Sequence, residues 1–141
     1  MNTTTYAAQP SASKALHIAL WVVQVVLGLM FLAGGTMKAT QPIPELAVKM
    51  VWASDIPEAL VRFIGVSEIL GGLGLVLPAA TRIKPMLTPL AGLGLAVIML
   101  LAALFHLVRA EFAGIVMNVV LGGLAVFVAW GRGKKAPILP R

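Results

Sequence analysis

The 141-residue chain has no cysteine. That absence removes disulfides, thiolate nucleophiles, Cys-ligated iron–sulfur clusters and CxxC exchange together. Charge is scarce as well. Asp, Glu, Lys and Arg make up 11% of the residues, where a soluble domain carries roughly a quarter. Histidine occurs only at His17 and His106. On the helices read below, these two lie about 25–30 Å apart at 1.5 Å per residue, so they cannot share one haem. Glu68 and His106 alone are too few protein ligands for a catalytic zinc, and no metal site is expected. The sequence pI is about 10.4, yet no compact basic patch with aromatic neighbours accompanies it. No nucleic-acid partner is expected.

What is present is apolar. Hydrophobic residues make up 60% of the chain, and the mean hydropathy is +0.97. Four stretches stand out, Ala15–Thr36, Pro57–Leu77, Met86–Val108 and Phe112–Trp130. Each has the length needed to cross ~30 Å of hydrocarbon as a helix. Together they fill most of residues 15–131 and leave no room for a soluble domain. The fold class expected is an all-α, integral membrane, four-helix antiparallel bundle. The first stretch is too long for the roughly 7–15-residue apolar core of a signal peptide and reads as an uncleaved helix. The tails Met1–Lys14 and Gly131–Arg141, the second carrying Pro137 and Pro140, are expected to be disordered.

Orientation follows from Lys and Arg. One side of the bundle holds Lys14, Arg82, Lys84, Arg132, Lys134, Lys135 and Arg141 without an acid; the other holds Lys38, Lys49, Arg62 and Arg109 beside Glu45, Asp55, Glu58 and Glu111. The cation excess puts both termini in the cytoplasm of an inner (plasma) membrane protein, with basic tails against anionic lipid.

The connections differ. Residues 39–56 carry Pro42 and Pro44, and then Glu45–Trp52, whose Leu46, Met50 and Trp52 suit a short interfacial helix. Asp55-Ile-Pro-Glu58 resembles an Asp cap opening the second span. The later connections are short, which makes spans two, three and four sequential antiparallel neighbours.

Glu68 is the most informative residue. It is a carboxylate inside the run 63–77, with nothing ionisable within five residues on either side. Such a charge costs at least about 2.5–3.5 kcal/mol and is normally paired, protonated or turned to an aqueous cavity. Spacings of three and four place Glu68 beside Gly65, Gly71 and Gly72, Lys38 beside Gly34 and Gly35, His106 beside Ala102 and Ala103, and Asn118 beside Gly114 and Gly122. Each polar group therefore points into the bundle. Measured from the non-cytoplasmic surface, Lys38 is near the surface, His106 about 5 Å deep, Asn118 about 9 Å and Glu68 about 15 Å. Gln24, about 20 Å down, stands apart. The four descending groups outline an outward-opening polar pocket in half of the membrane, and Trp52 lies where a lid over it would sit.

Gly34-Gly35-Thr-Met-Lys38 at the end of the first span and Phe63-Ile-Gly-Val-Ser-Glu68-Ile-Leu-Gly71-Gly72 in the second, with His106 and Asn118, give the chain a pattern that resembles the DoxX/DoxX-like family of small four-helix membrane proteins. The resemblance implies association with quinone-linked oxidation of sulfur compounds, with oxidative-stress complexes or, in distant animal relatives, with receptor assembly.

Three functions fit these residues. In a quinone-linked redox subunit, or a binder of another small lipophilic headgroup, Glu68 and His106 relay a proton while Lys38, Asn118 and Trp52 hold the ligand. No group in the chain stores electrons, so this reading needs a bound quinone or a redox partner protein. In an assembly or scaffold protein the glycine seams grip partner helices or a second copy of the chain. In the third reading the four polar groups only satisfy one another, at about 0.6–2 kcal/mol per bond.

Overall fold

The computed structural model describes residues 11–141; the expected disorder of the N-terminal tail falls largely outside them. Its described part is helical: α1 (Lys14–Thr40), α2 (Ile43–Lys49), α3 (Glu58–Thr81), α4 (Leu87–Val108) and α5 (Phe112–Trp130), with a 3₁₀ turn at Val51–Ser54 between α2 and α3. Four of these helices are long and apolar enough to cross a membrane. The short interfacial helix expected between the first two spans is α2 with its 3₁₀ extension. Leu46, Ala53 and Val61 bury together beneath it, packed by Met37 and Trp52.

Local chemistry sets the helix ends. Ser13 caps α1, its Oγ accepting from the Leu16 amide at 3.2 Å. At its other end α1 continues past Thr36 and carries Lys38 in its last turn. The expected Asp cap on α3 is not made. Pro57 occupies the cap position without a side-chain bond, because the Asp55 carboxylate is taken by Arg109 at 2.8 Å. A left-handed Arg82 (φ 59°) closes α3.

Lipid offers helices no hydrophobic reason to associate, so close backbone approach must supply the packing. α1 and α3 meet at two such points. A Cβ on Gly35 would lie 2.7 Å from the Gly65 carbonyl oxygen, and one on Gly72 would lie 2.9 Å from that of Gly28. α4 and α5 form a second close pair, where a Cβ on Gly92 would lie 2.9 Å from the Ala125 oxygen. The two pairs join in the half of the bundle nearer the termini. There Gly71 lies against Leu95, Gly74 against Ala91 and Gly131 against Leu20. Leu27, Phe31, Leu75, Leu95 and Met99 form the core at the join. Toward the end that carries α2 and the Arg109–Glu111 hairpin, the pairs diverge.

The C-terminal segment departs from the expected disorder. Gly131–Lys135 continues α5 as a wide, π-helical turn, and Arg132 is 2% exposed. Its Nε donates to Gln24 Oε1 at 2.6 Å, its Nη1 to the Ala136 carbonyl at 3.1 Å, and its guanidinium lies over the Trp21 ring. Arg82 Nε holds the Leu139 carbonyl at 2.9 Å. Gln24 in turn donates to the Leu75 carbonyl at 2.6 Å. The residue that stood apart in the sequence is the partner that orders the tail, and the two lie 108 positions apart.

Gly65→Ala should be destabilising, because its Cβ would sit 2.6 Å from the Ala39 backbone nitrogen; overpacking of this kind costs about 1–3 kcal/mol. Gly94→Ala, with nothing within 4 Å, should be neutral or slightly stabilising given alanine's helix preference. Thermal unfolding of both variants in bicelles checks the contrast. Equal effects at the two positions would contradict the close approach of α1 and α3.

Candidate functional site

The site begins with the Gly35–Gly65 approach. Two helices that close can be bridged by side chains that would otherwise fall short. Lys38 Nζ on α1 donates to Glu68 Oε2 on α3 at 2.7 Å, with the two side chains 11% and 4% exposed. A Cβ on Gly34, one turn before Lys38, would lie in ordinary van der Waals contact with both Nζ and Oε2, at 3.6 and 3.8 Å. Two charges taken out of water repay their desolvation only with good geometry, and removing one partner typically costs 3–5 kcal/mol. The pair is therefore held from behind. Arg62 Nη1 donates to the carbonyls of Lys38 (2.8 Å) and Gln41 (2.7 Å), while Glu58 binds its Nε and Nη2. Arg62 thus caps the end of α1 and fixes the backbone that carries Lys38.

A second polar group lies at the α4–α5 hairpin. His106 Nδ1 and Glu111 Oε2 are 2.6 Å apart, and the ring rests on Gly114, where a Cβ would be 2.6 Å away. Arg109 Nε donates to Glu111 Oε1 at 2.9 Å and its Nη1 pairs with Asp55 at 2.8 Å. Arg109 also stacks over Phe105, and Phe105 meets Trp52 edge-on at 6.3 Å. This network ties the segment after α2 to the hairpin. Hydrogen bonding from His106, followed by that from Arg109, holds the Glu111 carboxyl below the usual carboxylate range against partial desolvation. Glu111 in turn raises the Arg109 pKa.

Lys38, Trp52, Glu68, His106 and Asn118 all line one cavity of about 880 Å³, which lies where the two helix pairs diverge. All four long helices contribute to it. The arrangement differs from the sequence expectation in three respects. His106 bonds to Glu111 rather than standing with Glu68 as a joint acid–base set. Asn118 Nδ2 donates back to the Gly114 carbonyl of its own helix at 2.7 Å. The walls are mostly apolar, with residues such as Phe31, Ile64, Met99 and Leu121 between the polar groups. Sequence reasoning placed Glu111, Arg109 and Asp55 on the correct side but not at the site. The signal available was the hairpin itself, which folds position 111 back onto position 106. Among the described residues no three His, Asp or Glu side chains converge as metal ligands.

Since the Glu111 pKa is lowered on folding, this carboxylate adds stability above its unfolded-state pKa and loses it as pH falls through the folded value. Wild-type protein should melt above Glu111→Gln at neutral pH, and the two should converge on acidification below the usual carboxylate range. Melting temperature followed against pH tests this; a gap that stays constant would show that the charge of Glu111 contributes nothing.

The chain has no significant match among curated proteins or among solved structures. The profile of the DoxX-like family matches residues 22–128, a stretch that holds both members of the ion pair, His106, Asn118 and all of the cavity's lining residues. A multi-pass membrane bundle built on this pattern, matched over most of its length, belongs to the DoxX-like family.

Proposed function

We propose that the cavity takes the headgroup of a small lipophilic molecule, with a quinone as the best fit, and that the protein serves as a quinone-linked redox subunit of the inner (plasma) membrane. The observation that carries this reading is one buried ion pair facing a mostly apolar cavity of about 880 Å³. Ligand sites are mostly apolar with a few convergent polar groups, in volumes of about 300–1,000 Å³.

The chemistry follows from the donors. An ammonium has three N–H groups; Glu68 takes one at 2.7 Å, which leaves Lys38 able to donate to a quinone carbonyl. The amide of Asn118 uses one N–H on Gly114 and keeps its second. Reduction of a quinone to the hydroquinone takes up two electrons and two protons. The electrons come from a flavin, haem or metal protein docked on this chain. Glu68 is the proton carrier nearest the headgroup, and the charge of Lys38 balances it in its ionised form. His106, held by Glu111 nearer the hairpin, exchanges protons with the aqueous face. A scaffold role through the glycine seams has less support, because Gly28, Gly35, Gly65 and Gly72 are already occupied by contacts inside the bundle.

If Glu68 carries a proton, Glu68→Gln should fold yet lose quinone-dependent turnover and the quinone retained through purification, as measured by mass spectrometry. The double variant Lys38→Gln/Glu68→Gln removes the buried charge left by the single change and separates lost function from lost stability. A stable Glu68→Gln protein that retains its quinone would reduce the pair to polar glue. In the same reading the cavity faces away from the cytoplasm. Reporters fused after Ser54 should lie outside and those after Lys84 and Arg141 inside; the opposite pattern would invert the site.

A further inference from the structure

The cavity is closed unevenly. At its deep end Gly71 of α3 lies against Leu95 of α4, where a Cβ would come within 2.5 Å of the leucine side chain. On the aqueous side Met50, Val51 and Trp52 line it; Val51 is itself 65% exposed, while Trp52 rests against Phe105 and Asp55 is tied to Arg109. Of the lining residues on the long helices, the most exposed stand at the flank between α3 and α4, ahead of Met30 on α1 at 45% and Met117 on α5 at 55%. One to two turns beyond the Gly71–Leu95 contact, Ile64 and Ser67 face the cavity on one side and Ile98 and Ala102 on the other; spacings of three and four put each pair in line with Gly71 or Leu95. Phe63 and Leu101 line the cavity at this flank and are 68% and 61% exposed. Side chains of this kind, on membrane-spanning helices, open to hydrocarbon and not to water.

The geometry points to a cavity filled from the membrane: we propose that its ligand is a single-tailed amphiphile that enters between α3 and α4, past Phe63 and Leu101. The head, a hydrogen-bond acceptor, meets Lys38, and the apolar tail leaves along the same flank. This rests on reading the cavity as a ligand site. A volume of about 880 Å³ with polar groups confined to a few positions needs apolar atoms to fill the remainder, since an empty or wet apolar space forgoes packing. Entry along this path leaves the Asp55–Arg109 and Trp52–Phe105 contacts in place while the ligand exchanges.

The absence of cysteine makes the test clean. Ala102→Cys in the full chain, labelled with a nitroxide and reconstituted in bilayers, places a probe in the cavity wall. Collisions with oxygen, which concentrates in hydrocarbon, should exceed those with a water-soluble nickel chelate several-fold. Dominance of the nickel chelate, or access by neither, would overturn the proposal. Added decyl-tailed benzoquinone should shield the label from oxygen where the untailed ring does not; equal shielding by both would remove the tail from the site. If a single-chain lipid shields and decyl-benzoquinone does not, the membrane-fed site stands and the quinone reading falls. If no tailed probe shields the label, the amphiphile site itself is refuted.

Discussion

The close approach of α1 and α3 at Gly35 and Gly65 is the constraint on which the rest of the structure depends. A side chain at either position would meet backbone atoms of the other helix, so the separation of the two axes is set by glycine alone. That separation lets a lysine in the last turn of α1 reach a glutamate in α3 at 2.7 Å. In a soluble protein the same pair could relax into water at small cost. Among the described residues neither charge has another ionic partner, which makes the ion pair both a clamp on the helix pair and the polar centre of the cavity.

Pairing has a second consequence. Because α1 binds α3 tightly and α4 binds α5 tightly, the bundle behaves as two rods joined at one end. The join nearer the termini is sealed by Gly71, Gly74 and Gly131 against leucine and alanine side chains and by Arg132 hydrogen-bonded to Gln24. At the other end the rods part, and the space between them is the cavity. The site is thus a product of unequal packing along the same helices, not of an added loop or domain. At that end the segment after α2 lines the cavity through Met50, Val51 and Trp52, and the Asp55–Arg109–Glu111–His106 network ties that segment to the hairpin.

Seen this way, the polar groups divide by role. Lys38 and Glu68 are the ion pair that lines the cavity, and Arg62 and Glu58 hold the backbone behind them. His106 and Glu111 belong to the hairpin, where the carboxylate's lowered pKa reflects donors gathered around it. Any transfer of protons between the two groups must cross the cavity itself, so a bound headgroup would be part of the path.

The sequence alone determined the membrane class, the number of spans, the short interfacial helix and the inward orientation of Lys38, Glu68, His106 and Asn118. Each follows from run length, from the cost of a charge in hydrocarbon and from spacings of three and four, which are local properties of a helix. The tertiary structure decided which polar group meets which. Lys38 chose Glu68, but His106 chose Glu111 across a hairpin, Asp55 left the cap of α3 for Arg109, and Arg132 folded the C-terminal segment onto Gln24. These partners lie in different helices or connections, and helical periodicity carries no information about rotation and depth between helices. The same holds for the apolar character of the cavity walls, because a cavity is defined by where packing fails between elements, and that is a property of no single segment.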